Sequence, residues 1–173
     1  MKIVSFVMSV FLSLILLSMI FIETDLSAAE RVRKIRLSGE LRDTAPHSVT
    51  IADLEKLPIT EFSVMDPYKK EQRTYSGITV RDLVKHYAKD DVKTISIKAT
   101  DGYEVQFTHS EWLRWDIMLA TRLNGNHIPL RESGPARIVM PFDTALDMDK
   151  VIYRPKWIWL VSKIEFIFTT LSP

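Results

Sequence analysis

The longest apolar run in the chain comes first. Val4 to Ile22 is almost unbroken hydrophobic sequence, interrupted only by Ser5, Ser9, Ser13 and Ser18. Lys2 supplies a positive start, and Ser27-Ala28-Ala29 puts small residues where a signal peptidase cuts. Residues 1–29 therefore read as a secretory signal cleaved before Glu30, which would place the rest in the periplasm. The run is also close to the roughly 20 residues that cross a hydrocarbon core, so an uncleaved membrane anchor is the alternative. Residues 30–173 show no repeat, low-complexity stretch or Gly/Ser linker and are expected to form a single domain.

Beyond the leader the hydrophobic period alternates between two and 3.6. A strand is expected near Ile35 to Leu41. Thr50 reads as a helix cap before Ile51, Leu54 and Leu57, with Pro58 past the end. Ile59 to Met65 alternates as a strand, and Asp66-Pro67 opens a polar loop through Arg73. Gly77 reads as a turn. Thr79 caps a helix to Tyr87, with Val80, Leu83, Val84 and Tyr87 on one face and Arg81, Asp82 and Lys85 on the other. Val92 to Ala99 and Tyr103 to Phe107 alternate around Asp101-Gly102, a hairpin signal. Gly77 and Gly102 are both expected to need demanding backbone angles. Glu111 to Asp116 suits a short helix. Met118 to Leu123 leads to the turn Asn124-Gly125, Ala136 to Met140 suits a buried strand, and Trp157 to Phe168 suits a closing strand. Strands outnumber helices and several are joined by hairpins. The expected class is α+β, with mixed, largely antiparallel β-sheets and a few short helices.

Composition narrows the chemistry. The chain has no Cys, which removes disulfides, lipid attachment at a lipobox, thiolate metal ligands and a Cys nucleophile together. A net charge of +1 with interspersed signs gives no concentrated basic patch, so no nucleic-acid partner is expected. The four His, at 47, 86, 109 and 127, have no metal-ligand spacing, and no metal site is expected from them. Ser110 and Ser133 lack the context of a catalytic triad.

Five segments in order resemble one known family. They are YSGITVRDLVKHY from Tyr75, ATDGYEVQF from Ala99, LATRLNGNHIPL from Leu119, GPARIVMPFD from Gly134 and IWLVSKIEF from Ile158. Together they resemble the molybdopterin-binding domain of the sulfite oxidase type, in a short, single-domain exported form, over roughly Ile35 to Phe168. The resemblance implies an α+β fold of mixed sheets and a molybdopterin cofactor. It also implies a molybdenum-ligating Cys near Phe62 to Pro67, where this chain has none. A thioether or carboxylate is a poor substitute for a thiolate on an oxidised molybdenum centre. The family's Lys-Trp pair for the pterin's phosphate end corresponds either to Ile158-Trp159 or, two residues out of register, to Lys156-Trp157. Arg137 matches an Arg that the larger enzymes place beside the cofactor.

The candidate ligand-binding residues are Arg137, Asp143, Tyr103 and Trp159. Arg137 and Asp143 bracket a buried-looking strand and the Pro141-Phe142 corner; an Arg there can grip an anion with its planar fork. An ion pair of Arg137 with Asp143 or Glu132 is the competing reading. Alternation would set Trp157 and Trp159 on one side of a strand, one covering core and one lining a groove. No catalytic residue is singled out. The expected function is an exported binding or accessory module, sensory in one version, without its own molybdenum centre. It would take a small anionic or polar ligand and work with a membrane redox or signalling partner. The alternative is a molybdopterin-dependent oxidoreductase that holds the pterin without a Cys ligand.

Overall fold

Alternating apolar positions become two five-stranded sheets that share a core. The computed structural model describes residues 34–168, and the expected leader at 1–29 lies outside them. The strands are β1 (Lys34–Gly39), β2 (Ser48–Thr50), β3 (Thr60–Asp66), β4 (Glu71–Thr79), β5 (Thr94–Ala99), β6 (Glu104–Thr108), β7 (Met118–Leu123), β8 (Asn126–His127), β9 (Arg137–Val139) and β10 (Val161–Ile167). The helices are α1 (Ile51–Leu54), α2 (Val80–Tyr87), α3 (His109–Arg114) and α4 (Lys150–Tyr153), with 3-10 turns at Leu130–Glu132 and Arg154–Lys156. One sheet runs β2-β1-β10-β5-β6, and the other runs β3-β4-β7-β8 with β9 also paired to β7. Every pairing is antiparallel except β1 with β10. The fold is thus α+β with mixed, largely antiparallel sheets, as its period pattern requires. Among the described residues no helix is long and apolar enough to cross a membrane.

The helix starts follow from local chemistry. Thr50 accepts from the Asp53 N–H at 3.1 Å while Asp53 accepts from the Thr50 N–H at 3.1 Å, closing a capping box. Thr79 accepts from the Asp82 N–H at 3.1 Å and starts α2, which buries Val80, Leu83 and Tyr87. The turn at Asp101-Gly102 forms, with Gly102 at φ +92.

Three expectations change. Gly77 is inside β4, not in a turn. The strand shifts register between Ser76 and Gly77 against β7, and a Cβ at Gly77 would lie 2.2 Å from the Leu119 carbonyl oxygen. Glycine is required there by the close approach of two backbones. The polar loop from Asp66 to Arg73 is shorter than its composition suggests, because β4 already pairs with β3 at Glu71. The closing strand begins only at Val161. Residues 154–156 form a 3-10 turn and Leu160 has φ +55, so Trp157 and Trp159 do not share a strand face. Trp157 enters the core, while Trp159 is half-buried.

Candidate functional site

Arg137 enters the interior because β9 is held on β7, with Arg137 opposite Ala120. It is only 2% exposed. Its guanidinium carbon lies 5.3 Å from the Tyr75 ring centre, 5.6 Å from that of Trp157 and 5.5 Å from that of Trp159. Such cation–π contacts are strongest when desolvated, as here. The charge is met by Asp66, at the end of β3, whose Oδ2 is 3.6 Å from Arg137 Nη2.

Asp66 is fully buried and well satisfied. It accepts from the Tyr75 hydroxyl at 2.7 Å and from the N–H groups of Tyr68 at 2.9 Å and Lys69 at 3.0 Å. Burial pushes its carboxyl upward, but the hydrogen bonds from Lys69, Tyr75 and Tyr68 and the Arg137 charge outweigh burial. They hold it below the ordinary carboxylate value. The Tyr75 hydroxyl is pushed up to about 12, first by burial and then by its bond to Asp66. Arg137 Nε and Trp157 Nε1 are buried with no hydrogen-bond partner among the described residues. Buried donors are normally matched, so this is a place where an added acceptor would be stabilised.

The ion pair expected for Arg137 is therefore corrected: its partner is Asp66. Glu132 instead faces Arg73 at 3.4 Å. Asp143 is also not brought to Arg137. Its Oδ2 accepts from the Met65 N–H at 3.0 Å and from Gln72 Nε2 at 3.2 Å, which ties the segment after β9 to the β3–β4 hairpin.

The outer faces of the tryptophans open onto a cleft of about 370 Å³. Tyr103 and Trp159 line it together with Tyr68, Asp101 and Arg154. Ala99, Pro155, Trp157 and Ile158 complete the wall. The Tyr68 hydroxyl donates to the Arg154 carbonyl at 2.9 Å and the Tyr103 hydroxyl to the Pro155 carbonyl at 3.1 Å. Both phenols thereby fasten the 154–156 turn as one edge of the cleft. Trp159 meets Tyr68 edge to face, with centroids 4.9 Å apart and planes at 83°. Asp101 could be read in the sequence as a carboxylate placed in a pocket, although its turn role accounts for it equally; Tyr68 and Arg154 were not legible as site residues. Tyr68 sits in a turn with an ordinary turn role, and nothing local marks Arg154.

Lys156, the Lys of the out-of-register pair, is already engaged. Its Nζ donates to the Gln106 carbonyl and to Glu111 Oε1, both at 2.8 Å, between the rings of Phe107 and Tyr153. Ile158 is buried. The described residues contain no cluster of three His, Cys, Asp or Glu able to hold a metal. The arrangement offers an aromatic cleft with two ionic groups at its edge and one buried arginine against its tryptophans.

Among solved structures, the sulfane dehydrogenase SoxCD from Paracoccus pantotrophus matches with a TM-score of 0.61 at 15% identity. The match covers 83% of this chain but 40% of that one, so the chain spans well under half the length of that structure. No curated protein matches the chain. The model of the oxidoreductase molybdopterin binding domain matches residues 29–159, nearly the whole of the region just described, and the chain belongs to that sulfite oxidase-type family.

Proposed function

We propose that the protein is an exported, periplasmic binding or accessory module, built on the molybdopterin-domain scaffold and working without a molybdenum centre of its own. The observation that carries this reading is the state of the expected metal-ligand region. The chain contains no Cys, and in place of a thiolate the β3 end carries Asp66, whose oxygens are taken by Tyr75, two backbone N–H groups and the Arg137 charge. That donor set does not fit a thiolate-held molybdenum. The function then rests on the open cleft, whose volume is at the small end of ordinary ligand sites. A small polar or anionic molecule would lie against Trp159, Tyr68 and Tyr103 beside Arg154. The N-terminal apolar run supports export, with a membrane redox or signalling protein as the natural partner of such a module.

The family supports a second reading, an oxidoreductase that keeps the pterin without a protein thiolate. One experiment separates the two. Protein purified from molybdenum-replete cells is assayed for molybdenum by mass spectrometry and for pterin by fluorescence after oxidative release. The binding-module reading expects neither at stoichiometric level. One molybdenum or one pterin per chain establishes the second reading instead.

A further inference from the structure

Two opposite charges line the cleft with no ion-pair partner among the described residues. Arg154 is exposed on the 154–156 turn and Asp101 on the β5–β6 turn, and both line the cavity. Among the described residues neither forms an ion pair, with each other or with any other group. The Asp101 Oδ1 accepts from the Tyr103 N–H at 2.9 Å, which orients the carboxylate, and Oδ2 has no hydrogen-bond partner among the described residues. Arg154 rests its guanidinium over Tyr68 at 5.1 Å, and its N–H donors have no hydrogen-bond partner among the described residues.

The rings divide in the same way. Tyr68 already has a cation over it, and Trp157 and Trp159 have Arg137. Tyr103, half exposed, has none among the described residues. An aromatic face beside a carboxylate is the environment that recognises an ammonium group. A guanidinium with free donors is the environment that recognises a carboxylate. The deeper Arg137 adds little net charge, because Asp66 offsets it.

We propose that the cleft binds a zwitterion: a small molecule with an ammonium group, held at Asp101 and Tyr103, and a carboxylate, held at Arg154. Amino acids and betaines are the chemical class. The apolar wall of Ala99, Pro155 and Ile158 would take the carbon skeleton. The inference rests on the binding-module reading and makes its ligand specific. A purely anionic ligand would leave Asp101 facing a like charge, and a purely cationic one would face Arg154.

The test is titration calorimetry on the purified protein with two zwitterions, glycine betaine and L-phenylalanine. Their halves are run beside them: tetramethylammonium with acetate, and phenethylammonium with hydrocinnamate. At least one zwitterion should bind tenfold or more tightly than either of its halves. Asp101→Asn and Arg154→Gln should each weaken it tenfold or more, with unchanged melting temperatures. If an isolated carboxylate binds as well as the zwitterion, or if none of the probes binds, the zwitterion assignment is overturned while the metal-free binding module stands. If stoichiometric pterin is released from the same preparation, both fall.

Discussion

Arg137 with Asp66 and Arg154 with Asp101 are two arginine–aspartate sets that share the tryptophans between them, and they behave in opposite ways. The first is buried. Removing its charges from water costs several kcal/mol per ion, and the cost is offset because Asp66 accepts three hydrogen bonds beside the Arg137 charge and three rings close on the guanidinium. The second is in contact with water, so it can stay unmatched at no such cost. Burial makes the same two residue types a structural clamp in one place and a receptive edge in the other. This revises the expectation that Arg137 itself lines the cleft. It is buried against the rings of Trp157 and Trp159 that line the cleft.

The sharpest way to break the comparison is to remove one inner partner. Arg137→Ala or Asp66→Ala should destabilise the protein by about 3–5 kcal/mol, because each leaves an uncompensated buried charge. Urea denaturation measures it, and a loss under 1 kcal/mol would mean the pair is solvated. The double variant Asp66→Asn with Arg137→Met should recover much of the loss, since no buried charge remains.

Packing provides the next contrast. Gly77→Val, against the Leu119 backbone, should cost about 3 kcal/mol, because neither strand can yield without breaking the β4–β7 ladder. Gly102→Val, at φ +92 with open space around it on the cleft rim, should cost about 1 kcal/mol from backbone strain alone. Equal losses of denaturant midpoint would show that rim and interior are equally packed.

Acid removes the carboxylate charge without changing a side chain. Asp66, Glu55 and Glu111 are all held below ordinary carboxylate values in the folded chain. The unfolded chain therefore binds more protons as pH falls. The stability these groups contribute is complete above the unfolded carboxylate values near 4 and is lost as pH drops from there through the lower folded values. Denaturant midpoints should be flat from pH 7 to about 5 and fall below it, less steeply in Asp66→Asn. The smallest effects belong to the outer set: Asp101→Asn and Arg154→Gln should change stability by no more than about 0.5 kcal/mol. Differential scanning calorimetry checks this, and a large loss in either would show an unrecognised structural role.

By itself the sequence determined whatever depends on neighbours within a few residues. Thr50 and Thr79 start helices because their side chains reach N–H groups three residues on. Asp101-Gly102 and Asn124-Gly125 turn, and alternation placed Ile95, Ile97, Val105 and Phe107 in the core. The absence of Cys was likewise decided by composition alone. Tyr103 and Trp159 could be read as cleft residues, being large aromatics beside a turn and near the last strand. What only the tertiary structure decided is which distant groups meet. Gly77 looked like a turn because the reason for it lies on β7, across the sheet. Asp66 looked like the start of a loop and Asp143 like a partner for Arg137. The register of β3 on β4 and of β9 on β7 brings Arg137 to Asp66, while Asp143 turns back to Met65 and Gln72. Arg154 joins Tyr68 and Asp101 only because the chain between β9 and β10 crosses the end of both hairpins. Charge complementarity and close approach act through space, and no spacing along the chain encodes them.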